Sequence, residues 1–166
     1  MRVIRWTRWA LWLSCVAGLG LAFQAYSTSP ARVPVHYGAG GIPDRWGSPL
    51  EVLIVYVGVI GLGTALFLAT PEIIRRAPAS MLNLPHKEYW LAPENRDAAA
   101  AKLASWANVL GTAINLLMIS LQALLPHPPP TAPSRVPEFL MVGFVVFALG
   151  SCIWLARSYQ LPTRHE

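Results

Sequence analysis

Four long blocks of apolar residues, separated by polar segments, dominate the pattern of hydrophobic and polar positions along the chain. The blocks run from about residues 9–26, 50–70, 103–125 and 139–156. Each is close to the roughly 20 residues that a helix needs to cross a hydrocarbon core. The pattern predicts an all-α fold, an integral membrane four-helix bundle that forms one domain over residues 1–166.

Two prolines are expected to set helix boundaries near the middle of the chain. Pro71 follows the second block, and because proline cannot continue the hydrogen-bond ladder without cost, we expect the second helix to end there. Pro93 suits a first helical position, and Glu94 and Asp97 then fall in the favourable first turn. The third helix is therefore predicted to begin at Pro93, before its apolar block.

Composition supports lipid as the solvent for most of the chain. Hydrophobic residues make up 54% of the sequence and charged residues 13%, whereas about 25% is usual for soluble domains. The net charge of +5 comes from Lys and Arg at the ends of apolar blocks, so we predict no nucleic-acid partner. Arg2, Arg5 and Arg8 before the first block also fit a signal peptide, but the block is long and no Ala-x-Ala site follows, which favours an uncleaved span.

The first outward loop, residues 27–49, is rich in residues that restrict or widen backbone freedom. Pro34 and Pro43 fix backbone angles, and Gly38, Gly40 and Gly41 permit unusual ones, so we predict a compact, tightly folded loop. Within it, His36 and Asp44 are the candidate functional centre for an extracytoplasmic peptide or small ligand. The alternative is that both hydrogen-bond the loop's own backbone, while Tyr37 and Trp46 anchor the loop at the interface.

One His and one Asp are too few for a metal site, so neither a metal nor any other cofactor is predicted. The candidate binding residues are His36, Tyr37, Asp44, Arg45 and Trp46.

The same loop carries a recognisable signature, which reads Pro34-x-His36-Tyr37, then Gly41-x-Pro43-Asp44-Arg45-Trp46-Gly47. It resembles bacterial membrane proteins classed as domain of unknown function 1648, a module that also begins the immunity proteins against the sporulation-delay toxin. The stretch from Asn83 to Arg96 resembles a segment of many such proteins. The resemblance implies an immunity-related protein without assigned chemistry. The additional C-terminal spans of the immunity proteins have no room in this chain.

The cytoplasmic loop, residues 71–102, contains that second stretch. Between Asn83 and Arg96, aromatic and apolar residues alternate with polar ones, as in segments that lie at the headgroup level. The functional alternative is a docking surface for a cytoplasmic partner.

A polar stripe follows the third block. Its residues share one helix face because they recur at three- and four-residue spacings; they are Ser105, Asn108, Thr112, Asn115 and Gln122. Amides in hydrocarbon are costly unless paired, so Asn108 and Asn115 are expected to face other helices. The stripe serves either interhelical hydrogen bonding or a polar pathway.

We find no catalytic constellation and therefore predict a non-enzymatic binding or regulatory protein of the bacterial inner membrane. The alternative is a small-solute permease or channel accessory that uses the polar stripe. Small residues at four-residue spacing, such as Ser14, Gly18 and Ala22, suit close packing inside the bundle or in a homo-oligomer. Cys15 and Cys152 are interpreted as packing residues.

Orientation is the first testable prediction. Ten of the 13 Lys and Arg residues lie at the termini or in the second loop, and three lie in the first and third loops. The positive-inside rule then places both termini in the cytoplasm. Reporter fusions at Glu166 and within Thr131 to Arg135, in the proline-rich third loop, should report opposite sides. The same side for both would refute the four-span topology.

Overall fold

The computed structural model describes residues 2–38, 42–124 and 135–161. Four long helices dominate it: α1 (Arg2–Thr28), α2 (Pro49–Arg76), α3 (Arg96–Leu124) and α4 (Val136–Ser158). All four are long and apolar enough to cross a membrane, which confirms a mostly helical, multi-pass membrane protein. The remaining elements are strands β1 (Val33–Tyr37) and β2 (Pro43–Gly47), a 3-10 turn at Ala79–Met81 and a short helix at Lys87–Trp90. Gly40 and Gly41 of the first loop, and residues 126–134 of the proline-rich third loop, lie outside the described residues.

Helix α3 is the central element, because α1, α2 and α4 all pack against it. Helices α1 and α2 pack tightly at Gly18, where a Cβ atom would lie 2.8 Å from Ile60 Cδ1. Ser14 and Ala22, one turn to either side, are also buried. The small residues of α1 therefore serve the internal packing of this chain.

Helix α2 does not end at Pro71, contrary to the expectation from its sequence. Pro71 lies inside the helix, which continues to Arg76. A helical proline forfeits one backbone hydrogen bond, but membrane helices tolerate this where neighbouring helices support them. The last helical turn therefore forms in spite of Pro71. Within it, Glu72 and Arg76 form an ion pair at 2.5 Å.

A π-helical stretch, Val57–Leu62, interrupts the α-helical geometry of α2 near its middle. Such stretches bring an extra residue into a turn and change which side chains face the partner helix. Here Ile60 becomes fully buried, and its carbonyl oxygen lies 3.9 Å from the Sγ atom of Cys15 on α1.

The prediction that α3 begins at Pro93 is also wrong, since the helix begins at Arg96. The preceding residues form a tight turn, in which the amides of Asn95 and Arg96 both donate to Ala92 O at 3.0 Å. The Asn95 side chain adds a 3.0 Å bond to Tyr89 O. Pro93 therefore lies in a single hydrogen-bonded turn that precedes the helix, and the continuous helix begins only at Arg96.

The outward loop contains a β-hairpin, a correction to the all-α expectation. β1 and β2 pair antiparallel, with Val33 opposite Gly47 and Tyr37 opposite Pro43. The β-branched and aromatic residues of β1 suit a strand. The many prolines and glycines obscured this pattern, yet strands at a sheet edge accept proline.

Most large apolar side chains of α4 point away from the protein. Phe139, Val142, Val146 and Trp154 are all more than 60% exposed. Side chains in this position contact lipid in a membrane protein, where helix association does not depend on burying them.

Gly111 on α3 provides a test of the packing between α1, α2 and α3. A Cβ atom there would lie 2.6 Å from the Phe67 ring on α2 and 2.9 Å from Leu11 on α1. Gly111→Val should therefore lower the free energy of unfolding by about 1–3 kcal/mol, the usual cost of overpacking. The matched control is Gly143→Val on α4, where nothing lies within 4 Å of the new Cβ. Equal losses in a detergent unfolding assay would contradict this arrangement.

Candidate functional site

The hairpin brings His36 and Asp44 into direct contact. His36 Nδ1 and Asp44 Oδ1 lie 2.6 Å apart, and the side chains are 65% and 53% exposed. Among the described residues these two side chains bond to each other, whereas the alternative interpretation expected bonds to the loop backbone. The pair is an exposed cross-strand clasp, and its functional role stays a prediction.

Two irregularities in the strand register explain this contact. His36 lies opposite Arg45, and the pairing skips Val35 on β1 and Asp44 on β2. Such bulges turn a side chain toward a new direction. Gly38 leaves room for the carboxylate, since a Cβ atom there would lie 3.1 Å from Asp44 Oδ2.

A cavity of about 250 Å³ lies beneath the hairpin. Its walls come from the C-terminal ends of α1 and α3, from β1 and from the first two turns of α2. Apolar side chains such as Ala22, Val33 and Leu53 form most of the lining. Ligand pockets are usually apolar with a few polar groups, and this cavity lies just below their usual range of roughly 300–1,000 Å³.

An ion pair occupies the rim of the cavity. Arg45 Nη2 donates to Glu51 Oε1 at 2.6 Å, and the two side chains are 65% and 42% exposed. Gly47 makes room for this carboxylate, because a Cβ atom there would collide with Glu51 Oε2 and lie 2.9 Å from Val35.

Five further polar residues line the cavity: Tyr26, Ser29, Tyr37, Tyr56 and Gln122. Tyr56 donates its hydroxyl to Met118 O at 3.3 Å, and Gln122 Nε2 donates to Leu21 O at 2.8 Å. Gln122 Oε1 is buried without a partner among the described residues. Burial raises the pKa of the Tyr37 phenol, so Tyr37 stays neutral and able to donate at physiological pH.

The structure divides the predicted binding residues into two groups. Tyr37 and Arg45 line the cavity, whereas His36, Asp44 and Trp46 do not. The sequence analysis missed Glu51 and Tyr56. Glu51 lies in the first turn of α2, where an acidic residue is favourable, and its amide donates to Ser48 Oγ at 3.2 Å. Nothing in the sequence shows that its carboxylate reaches back six residues to Arg45.

The hairpin and the helices that flank it form a recognisable unit. Residues 13–60 match the family model of a domain of unknown function, DUF1648. This DUF1648 module covers α1 from Leu13, the whole hairpin and α2 as far as Ile60. It supplies every residue of the cavity lining except Leu121 and Gln122, which α3 contributes.

A relative from the archaeon Archaeoglobus fulgidus, described as an uncharacterized protein, is 42% identical over 64 residues. The match covers 36% of this chain and spans about a third, 34%, of that relative. No solved structure matches the chain at a significant level.

The polar stripe connects α3 to the other helices. Asn108 and Asn115 are 3% and 2% exposed, so both face protein as expected. Asn108 Nδ2 donates to Thr7 Oγ1 at 3.3 Å, and Asn115 Nδ2 donates to Ser14 Oγ and Thr64 Oγ1 at 3.0 and 3.2 Å. Thr112 bonds within α3, to Asn108 O. These contacts favour the interhelical interpretation over a polar pathway.

The segment from Asn83 to Arg96 folds against the ends of α3 and α4. Trp90, expected at the membrane interface, is instead 5% exposed and donates its indole N–H to Tyr159 O at 2.7 Å. The Tyr159 hydroxyl donates to Ala99 O at 2.7 Å, and Lys102 lies over the Trp90 ring. Burial raises the pKa of Tyr159 to about 12, so the phenol keeps this hydrogen across the physiological range.

Metal binding receives no support from the described residues. Within 2–38, 42–124 and 135–161, no group of three or more His, Cys, Asp and Glu side chains is placed to hold an ion.

Asn115 tests the role of the stripe. Asn115→Leu removes two interhelical hydrogen bonds, so it should lower the free energy of unfolding by about 0.5–2 kcal/mol, the range for such bonds in membranes. Asn83→Leu, at an exposed position in the second loop, is the control and should change little. The measurement is reversible unfolding in mixed micelles. If Asn115→Leu leaves the free energy of unfolding unchanged, the interpretation of the stripe as interhelical hydrogen bonding is wrong.

Proposed function

We propose that this chain is a non-enzymatic binding protein of the bacterial inner membrane that holds a ligand in the cavity beneath the outward hairpin. In this proposal the four helices form a bundle, and both termini lie in the cytoplasm. The observation that carries it is the cavity of about 250 Å³, which joins apolar walls to a charged rim. Concave apolar sites with few polar groups are the usual form of small-molecule sites.

The lining favours binding over chemistry. Among the described residues, the cavity contains no His or Cys that could act as a general base or thiol nucleophile. Its charged groups, Arg45 and Glu51, neutralise each other at 2.6 Å. A catalytic site instead needs a nucleophile within reach of a base, together with a third group that orients the base.

The hairpin suits a binding site because the antiparallel pairing of β1 and β2 gives it a defined shape without a ligand. The His36–Asp44 contact closes one side of the hairpin, and the Arg45–Glu51 contact ties β2 to the start of α2. Preorganisation reduces the entropy lost on binding.

The size of the cavity limits the ligand. At about 250 Å³ the cavity lies just below the usual range of small-molecule pockets. One apolar side chain of a peptide, or a small molecule with one ring system, fits this space. The resemblance to immunity proteins makes a toxin peptide one such ligand.

Indole serves as a probe for the cavity itself. Ligands that bind only the folded state stabilise it by RT ln(1 + L/Kd), where L is the free ligand concentration, so the stabilisation grows with that concentration. We expect indole to raise the melting temperature of the chain in nanodiscs. Ala25→Phe fills the cavity from α1 and should abolish the rise.

The control is Ala10→Phe, the same substitution at an exposed position on α1 away from the cavity. It should preserve the response to indole. If both variants respond like the unmodified chain, indole binds elsewhere or only to lipid, and the proposed site is wrong.

A further inference from the structure

The rim of the cavity carries one positive and one negative group in contact. Arg45 and Glu51 lie side by side at the opening, and both side chains are largely exposed. The opening is therefore dipolar, with no net charge. A ligand bearing only an anion would meet the Glu51 carboxylate next to Arg45, and a ligand bearing only a cation would meet the guanidinium next to Glu51.

Each partner has capacity for a second contact. The pair uses Nη2 of Arg45 and Oε1 of Glu51. A guanidinium has five N–H donors and a carboxylate has about four acceptor positions. Exposed ion pairs of this kind contribute little to stability, so a ligand can join the pair or separate it at small cost.

Tyr37 on β1 adds a hydrogen-bond donor to the cavity lining. Tyr37 lines the cavity and presents a phenol next to the apolar walls formed by Val33 and Val35. A phenol hydroxyl donates to an anionic oxygen, so it adds to the site for the negative end of a ligand.

Resting on the binding function proposed above, we infer that the ligand is a zwitterionic amphiphile. An apolar part of the ligand, either one side chain or the end of one acyl chain, occupies the cavity of about 250 Å³. Its phosphate or carboxylate lies on Arg45, and its primary ammonium donates to Glu51. The ammonium must carry N–H groups, because a carboxylate binds through accepted hydrogen bonds. Two sources share this chemistry: an ethanolamine phospholipid of the outer leaflet and a free apolar amino acid.

The lipid source is tested with a matched pair of lysolipids. Lysophosphatidylethanolamine and lysophosphatidylcholine with the same acyl chain differ in the ammonium, which has three N–H groups in the first and none in the second. Native mass spectrometry of the detergent-solubilised chain should show about threefold to tenfold tighter binding of the ethanolamine form, the range for a charge-assisted hydrogen bond at an exposed site.

Glu51→Gln should reduce this preference to about one. Gln keeps the shape of the side chain and the ability to cap α2, so folding is expected to persist. Glu88→Gln, an exposed carboxylate in the cytoplasmic loop, is the matched control and should leave the preference unchanged.

The free source is tested with phenylalanine and its methyl ester, which lacks the carboxylate. Stabilisation by phenylalanine alone, abolished by Arg45→Gln, would identify a free zwitterion as the ligand. Selectivity for the lysolipid alone would identify the phospholipid.

The inference is overturned if neither pair shows selectivity, or if the selectivity survives Glu51→Gln and Arg45→Gln. If indole still binds and Ala25→Phe still blocks it, the cavity remains a binding site and only the ligand class is wrong. If indole binding also fails, the proposed function fails with it.

Discussion

Hydrogen bonds between α1 and α3 determine how the rest of the molecule is arranged. An amide placed in hydrocarbon is costly unless it is paired, and α3 carries three on one face. Asn108 bonds to Thr7, Asn115 to Ser14 and Gln122 to Leu21, each across 101 residues of sequence. The constant separation means that the two helices run parallel and in register, with contacts every seven residues, as in a coiled coil. Parallel first and third helices also follow from a chain that crosses the membrane alternately.

The cavity beneath the hairpin is a consequence of this register. Because Gln122 lies beside Leu21, the ends of α1 and α3 stand together and form part of the cavity wall. The hairpin then closes over them, and the Arg45–Glu51 contact holds it to α2. A unit recognised in residues 13–60 therefore needs α3, which lies outside it, to complete the cavity.

Much of this could be read from the sequence, because membrane spans are long and the spacing of polar residues on a helix is regular. The burial of Asn108 and Asn115 follows from that spacing. The ends of the helices could not be read in the same way. Pro71 is tolerated inside α2. Pro93 lies in a turn before α3, and the side chain of Asn95 stabilises this turn. Part of the site could be predicted from the sequence, because Tyr37 and Arg45 belong to the Pro/Gly-rich motif of the first loop. Glu51 gains its role only from a bulged hairpin, whose register depends on tertiary contacts.

The separation of 101 residues between hydrogen-bonded partners also has a consequence for biosynthesis. A ribosome that adds about 5–20 residues per second needs roughly 5–20 seconds to make that length. During this interval Thr7 and Ser14 are already in the bilayer while Asn108 and Asn115 have not yet been translated. During this interval the hydroxyl of Ser14 can donate to Leu11 O within its own helix, and the hydroxyl of Thr7 can donate to Ile4 O. Hydroxyl groups remain hydrogen-bonded during this interval because a carbonyl of their own helix accepts the bond. A side-chain amide at the same position in α1 would have unsatisfied donors until α3 is synthesised. The division of polar chemistry between the two helices thus matches the order in which they are made.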